Sequence, residues 1–231
     1  MGLDLARIFK AYDVRGVVPS EFDADVARAT GAAFVRLLGA SEIVIAHDMR
    51  ESSGPLSAAF AEGATSQGAD VVLAGLGSTD LLYFAAGSLN LPGAMFTASH
   101  NPAKYNGIKM CRAGAAPIGQ DTGLAEIRDM VASGVPTFAG APGSVREVDL
   151  RAAYVAHLRS LVDLSGIRPL KVAVDAGNGM GGYTVPATFD GLPLEIVPLY
   201  FELDGTFPNH EANPIEPENL RDLQRAVRDS G

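Results

Sequence analysis

The sequence predicts an α/β fold three layers deep, α/β/α, with helices on both faces of a mixed sheet. Two observations carry this. Short apolar runs ending in polar loops alternate with stretches of helical length and pattern. Strands alternating with helices of this kind form a largely parallel or mixed sheet covered on both sides. A third observation sets the number of units. Residues 133–144, SGVPTFAGAPGS, are rich in Gly, Pro, Ala and Ser and read as a linker.

Taken in order, Asp23–Leu38 reads as a helix, with Val26, Phe34, Val35, Leu37 and Leu38 set among alanines. Glu42–Ala46 (EIVIA) reads as a buried strand, and Pro55–Gln67 as a helix opened by proline, which a first turn tolerates. Asp70–Leu73 and Gly93–Thr97 are further strands. Asn106-Gly107 is a tight-turn signal that would deliver Ile108-Lys109 on a return strand. Beyond the linker, Asp149–Leu164 reads as a helix and Leu170–Val174 as the strand that opens a second α/β unit. We place the boundary near residue 145, giving domains 1–145 and 146–231. A weak echo links EIVIAHDMR and LKVAVDAGNG, each an apolar strand running into Asp and a polar loop.

Composition excludes some functions. A net charge of −9 and a pI near 4.9 argue against a nonspecific nucleic-acid binder. Any phosphate site must therefore be a local concentration of positive charge. Lysine occurs only at Lys10, Lys104, Lys109 and Lys171, and the first three lie in or beside the motifs below. The single cysteine, Cys111, excludes an intramolecular disulfide and reads as a small core or edge residue on a strand. The N-terminus mixes charges into its apolar residues, unlike a secretory signal, and no stretch is long enough to span a membrane. The expectation is a cytoplasmic protein with no membrane or nucleic-acid partner.

Five segments could carry chemistry. Thr97–Met110, TASHNPAKYNGIKM, follows a predicted strand, and loops at the C-terminal ends of such strands are where α/β proteins bind ligands. Ser99 there can accept a phosphoryl group, although Ser, Asn and Pro also serve as plain turn residues. Phe9–Gly16, FKAYDVRG, offers Lys10 and Arg15, and a guanidinium suits phosphate oxygens. The plain alternative is a surface turn after a first strand, with Arg15 paired to Asp13. His47-Asp48-Met49-Arg50 runs into Ser52 and Ser53, which could frame an anion site or simply cap a helix. Asp175–Gly182, DAGNGMGG, has glycines that permit close backbone approach, but no acidic residue follows as a dinucleotide motif requires. Asp204–Pro214, DGTFPNHEANP, carries His210 with no second metal ligand at a convincing spacing. His157 falls within a helical pattern and reads as structural. His100 directly follows Ser99, and sequence neighbours rarely form a nucleophile–base pair.

In this order AYDVRG, AHDMR, TASHNP with NGIK, DAGNGMG and DGTFPNHEANP resemble the α-D-phosphohexomutase superfamily, in its phosphomannomutase/phosphoglucomutase branch. TASHNP is the specific signature among them. The resemblance covers the whole chain but about the front half of a typical four-domain member. It implies one complete domain plus a C-terminally truncated second domain of similar type, and hence an inactive fragment with an unpaired sheet edge prone to self-association. The family's metal loop, Asp-Gly-Asp-x-Asp-Arg, does not occur in the sequence. Two local departures are Ala212, where the family often has Pro, and Ala46-His47-Asp48, where it often has Gly-Arg-Asp.

The activity the resemblance implies is reversible phosphoryl transfer between the 1- and 6-positions of a hexose phosphate, mannose or glucose. A phosphoserine and a hexose 1,6-bisphosphate, which also serves as activator, are its intermediates. Ser99 would be the phosphoryl carrier and, through its phosphate, one ligand of Mg²⁺. Lys109 and Arg15 would transfer protons and stabilise charge, Arg15 chiefly the latter because its guanidinium stays ionised. His100 and Asn101 would shape the loop and hydrogen-bond the phosphate. Tyr12 would line the sugar site, and Arg50 would contact substrate. The alternatives are a non-catalytic phosphosugar-binding or regulatory protein lacking the metal loop, and a phosphoglucosamine mutase.

Overall fold

The computed structural model describes residues 4–230. They divide into two compact units. Unit 1 runs to Ala98 and resumes over Lys104–Leu150; unit 2 takes Ser99–Ala103 and the chain from Arg151 on.

Unit 1 begins with α1 (Leu5–Ile8), whose N-terminus is capped by the Asp4 carboxylate accepting from the Arg7 N–H at 3.3 Å. The elements that follow are β1 (Val14–Val17), α2 (Ala24–Leu38), β2 (Glu42–His47), α3 (Ser53–Ser66), β3 (Asp70–Leu76) and α4 (Thr79–Leu89). Then come β4 (Gly93–Phe96), β5 (Tyr105–Arg112), β6 (Ala116–Pro117), α5 (Leu124–Ser133) and β7 (Val145–Glu147). Helix α2 starts where Asp23 accepts from the Val26 N–H at 2.9 Å and stops at Gly39, whose φ of 58° ends the helical run.

The seven-stranded sheet has the order β1-β5-β4-β2-β3-β7, with β6 on β5. β2 is parallel to both β3 and β4, whereas β5 is antiparallel to β4 and β1. The sheet is therefore mixed, as expected. Its two faces can be read from alternate residues of the central strands. Ile43, Ile45, Ala94 and Phe96 join the core that holds Phe34 of α2 and Phe60 of α3. Val44 and Cys111 flank Gly93 on the other side, beside Leu82 of α4. Close approach of α2 and α3 depends on glycine. A Cβ on Gly63 would lie 1.9 Å from the Arg28 carbonyl oxygen, and one on Gly31 would lie 2.1 Å from that of Phe60.

Three expectations need correction here. Asn106 and Gly107 do not form a turn; they lie inside β5. Gly107 is required by packing instead, because a Cβ there would come within 2.1 Å of the Val14 carbonyl oxygen on β1. The Gly- and Pro-rich stretch does not join the units. It stays with unit 1, where Gly143 fits against the Ala69 backbone and β7 adds to β3 in parallel; the division falls after Leu150, a few residues beyond the expected position. The segment preceding Asp13 is the short helix α1, not a strand.

Unit 2 contains α6 (Arg151–Ser160), β8 (Leu170–Asp175), α7 (Gly181–Phe189), β9 (Leu194–Leu199) and α8 (Arg221–Asp229). β8 and β9 pair in parallel, from Leu170 opposite Leu194 to Asp175 opposite Leu199. Helix α6 is shorter than the predicted Asp149–Leu164. Beyond Ser160 the Asp163 carboxylate accepts from the Ser165 N–H at 2.9 Å, a turn that competes with helix. The Arg159 guanidinium of α6 holds the open end of α7, donating to the carbonyls of Thr188 at 2.9 Å, Ala187 at 3.4 Å, and Asp190. Arg151 lies over the Tyr183 ring, 4.2 Å from its centroid. Among the described residues no helix is long and apolar enough to cross a membrane.

Candidate functional site

The serine loop leaves the buried end of β4. Phe96 and Thr97 fix its root. The Phe96 carbonyl accepts from the Asp48 N–H at 2.9 Å, and the Thr97 N–H donates to the Gly107 carbonyl at 3.1 Å. Ala98 is fully buried, and the next residue, Ser99, is exposed with φ at +52°. A non-glycine residue in the left-handed region costs on the order of 1–3 kcal/mol and persists only where its surroundings over-determine it. The result is a hydroxyl displayed at a strand end. His100 is exposed beside it, its Nδ1 3.4 Å from Ser99 Oγ, too long for a strong nucleophile–base hydrogen bond. Asn101 is half-buried in the same loop.

Beneath the root lies a buried polar network. The Asn106 amide donates to Ser52 Oγ at 2.8 Å and Ser53 Oγ at 2.9 Å, while its oxygen accepts from the Gly107 N–H at 2.8 Å. Ser53 Oγ donates to Asp48 Oδ1 at 2.5 Å, and the Arg50 N–H donates to the same oxygen at 3.0 Å. The Arg50 side chain is 1% exposed, its Nε 3.3 Å from Asp48 Oδ2 and its Nη1 donating to the Tyr105 carbonyl at 3.1 Å. This corrects two expectations. Arg50 is a buried brace rather than a substrate contact. Ser52 and Ser53 neither cap α3 through their side chains nor line an open anion site, because Asn106 occupies them. No motif in the sequence marks this network; His47-Asp48-Met49-Arg50 and Asn106 are separated by more than fifty residues.

The cationic residues are gathered separately, where β1 meets β5. Asp13 Oδ2 accepts from Arg15 Nη2 at 2.5 Å and from Lys109 Nζ at 3.2 Å. Arg15 and Lys109 are each 27% exposed at their side chains, and Asp13 is 9% exposed. The pairing of Arg15 with Asp13 was the plain alternative for this segment, but it comes with a second cation from a strand distant in sequence. Tyr12, next to Asp13, is 79% exposed, an amphipathic ring open to solvent.

Unit 2 closes its two motif loops on each other. His210 Nε2 lies 3.0 Å from Asp175 Oδ2, and Asn209 donates to Asn178 Oδ1 at 2.8 Å. Asn178 is buried with φ at +58° and donates to the Glu202 carbonyl at 2.9 Å. The Tyr200 hydroxyl donates to Asp222 Oδ2 at 2.7 Å, its ring edge-on to His210 with centroids 5.4 Å apart. Burial alone works against a charged His210. The Glu211 carbonyl and the Asp175 carboxylate, with Asp222 further off, outweigh it and hold the pKa above its ordinary value. Gly182, once a candidate for ligand approach, is needed for packing, since a Cβ would lie 2.0 Å from the Phe201 carbonyl oxygen.

Among the described residues no group of three or more His, Cys, Asp or Glu side chains could hold a metal ion. The described residues thus supply no such ligand cluster, and the chemistry below contains no step through the metal. Cys111 is buried on β5, where burial pushes its thiol up to about 11, so it is inert as a nucleophile.

Comparison with known proteins bears on all of these segments. A family model described as phosphoglucomutase/phosphomannomutase, alpha/beta/alpha domain I, matches residues 6–136, and one for domain II of the same family matches residues 152–231. A protein of Xanthomonas campestris pv. campestris described as phosphohexose mutases is 43% identical over 225 residues, covering 96% of this chain and 50% of that protein. A phosphomannomutase of Salmonella typhimurium is 38% identical over 231 residues, covering 96% of this chain and 51% of that protein. The crystal structure of a phosphoglucomutase/phosphomannomutase family protein from Burkholderia thailandensis superposes with a TM-score of 0.89 at 37% identity, over 99% of this chain and 51% of that one. The chain thus spans about half the length of the relatives it matches.

Proposed function

The chain belongs to the phosphoglucomutase/phosphomannomutase family, and on that premise we propose that it carries the phosphoryl-accepting serine of a hexose-phosphate mutase. The observation that supports this most is Ser99, an exposed hydroxyl held in a left-handed conformation at the end of a buried strand, inside TASHNP. In this reading phosphorylated Ser99 gives its phosphoryl group to the free 1- or 6-hydroxyl of a mannose or glucose monophosphate. The serine O–P bond breaks as the sugar O–P bond forms, producing the hexose 1,6-bisphosphate. The reverse step from the other position restores phosphoserine and releases the isomer.

Phosphoryl transfer asks for positioning and charge neutralisation more than covalent help. Arg15 and Lys109 supply positive charge from this chain. Their side chains are partly exposed, so they can reach a ligand while keeping Asp13. His100 and Asn101 are proposed to shape the serine loop, and Tyr12 to meet the sugar. Magnesium, which the family resemblance implies, would add charge neutralisation at the phosphoserine; none of the steps assigned to this chain's residues runs through it. Since the chain spans half of its relatives, we expect the 231 residues alone to be inactive.

The test is Ser99→Ala in the protein expressed from the complete reading frame. Interconversion of mannose or glucose 1- and 6-phosphates is assayed with the bisphosphate as activator, and the phosphorylated peptide is mapped by mass spectrometry. Loss of turnover and of the phosphopeptide containing Ser99 is expected. Normal turnover by Ser99→Ala would sink the reading.

A further inference from the structure

We infer that Asp13 is a positioning residue for phosphoryl transfer: one buried carboxylate oxygen that gathers Arg15 and Lys109 into a single cationic unit. The inference rests on the mutase reading above but concerns a residue to which that reading gives no role.

The placement follows from strand register. In the antiparallel β1–β5 pair, Val14 stands opposite Ile108 and Arg15 opposite Gly107. Continuing the count puts Asp13 opposite Lys109. Residues two apart on a strand share a face, so Asp13 and Arg15 project to the same side, and Lys109 meets them there. The residue opposite Arg15 is a glycine, with no side chain to hold the guanidinium out. Both cations converge on one oxygen, Asp13 Oδ2, at 2.5 and 3.2 Å.

The backbone that carries the carboxylate is itself hydrogen-bonded in place. The Asp13 carbonyl accepts from the Lys10 N–H at 2.8 Å, closing the turn, and the Ala11 carbonyl accepts from the Gln120 N–H at 2.9 Å. Arg15 keeps its place although its Nε is buried with no hydrogen-bond partner among the described residues. An ion pair serving stability alone gains nothing from leaving that donor unmatched. Two cations sharing one anion retain net positive charge, and each has 27% of its side chain open to solvent. Without Asp13, Arg15 and Lys109 would repel, and each long side chain would regain its rotamer freedom. The cost would fall on alignment at the transferring phosphoryl group, where small misplacements are expensive.

The experiment uses the protein from the complete reading frame, with glucose 1-phosphate as substrate and glucose 1,6-bisphosphate as activator. The variants are Asp13→Asn, Asp13→Glu, Lys109→Gln, the double variant Asp13→Asn/Lys109→Gln, and Ser99→Ala. Asp13→Asn is expected to lower kcat on the order of 10²-fold while KM changes by less than about threefold. Asp13→Glu keeps the charge and should recover part of kcat at an unchanged melting temperature. The double variant should lose less relative to Lys109→Gln than Asp13→Asn loses relative to the parent, because only Arg15 is then left for Asp13 to position. Multiplicative loss in the double variant, or Asp13→Asn within about twofold of the parent while Ser99→Ala is dead, overturns the inference alone. If Asp13→Asn does not fold, Asp13→Glu decides: full parental kcat and KM upon a one-methylene displacement would overturn it, and a loss of kcat in a normally melting protein would support it. Normal turnover in Ser99→Ala overturns the mutase reading and this inference with it.

Discussion

Replacing Gly107 with alanine should destabilise unit 1 and pull its cationic cluster apart. A Cβ at that position would sit 2.1 Å from the Val14 carbonyl oxygen and 3.2 Å from that of Thr97, against 3.4 Å for ordinary contact. The strands would have to separate by about 1.3 Å at this point, the difference between 3.4 and 2.1 Å. Neither neighbour is a side chain that could swing away; both are backbone. Overpacking of this kind costs roughly 1–3 kcal/mol, and a lost ladder hydrogen bond adds about 1 kcal/mol. Alanine returns roughly 0.5–1 kcal/mol of backbone entropy, so the net loss is about 2 kcal/mol. The same separation lengthens the 3.2 Å contact between Asp13 and Lys109, two register steps away. Urea denaturation of Gly107→Ala, followed beside Gly54→Ala, tests this. Gly54 lies in α3 with nothing within 4 Å of its would-be Cβ, so the same substitution there should be neutral or slightly stabilising. A Gly107→Ala protein as stable as the parent would refute the close-approach argument.

Asn106→Ala should cost unit 1 roughly 2 kcal/mol or more, since it strips partners from the buried groups around Ser53 and the Gly107 N–H; a shift in the urea midpoint reads it. His210 has a folded-state pKa raised above its unfolded value of about 6.5, so its stabilisation is complete below that pH and fades as pH rises through the folded value. The stability gap between parent and His210→Gln should therefore be widest in mild acid and close with rising pH, and a gap that widens in alkali would contradict it. Cys111, buried and pushed up to about 11, should resist iodoacetamide at neutral pH until urea unfolds unit 1.

Much of the fold was legible because apolar period and caps agree with it. EIVIA became the four consecutive buried residues of β2, and Asp23 became the cap of α2. The errors share a cause. Asn-Gly is a turn signal only if nothing else demands that glycine, and here the Val14 backbone does. A Gly- and Pro-rich stretch looks like a linker until a partner strand is found for its end, and β3 supplies one. At the candidate site, the exposed position of Ser99 at a strand end is readable from a compact motif. Asp13 was seen only as a partner that would neutralise Arg15, because its second cation arrives from β5, which single-sequence spacing cannot reveal. One signal was available: Asp13-x-Arg15 on one strand and Lys109 after Gly107 on another form a same-face cluster once the strands are paired. Arg50 is hard to read for the opposite reason. Arginine in a loop suggests a ligand, but Asp48 and the Tyr105 carbonyl hold this one inside.

The placement of β1 beside β5 has a consequence for how the chain acquires its cluster. Asp13 and Lys109 are 96 residues apart in sequence. Closing a loop of that length costs roughly 4 kcal/mol from its logarithmic length dependence, before the contact returns anything. The intervening parallel strands β2, β3 and β4 are joined by short helical connections and can pair with far smaller loops. During synthesis at roughly 5–20 residues per second, β1 therefore waits about 5–20 s before its partner strand is made. Through that interval β1 has no β5 to pair with, and Asp13 and Arg15, two residues apart, still lack Lys109. The charge cluster can therefore be completed only once β5 has been made, when β2, β3 and β4 are already available to pair.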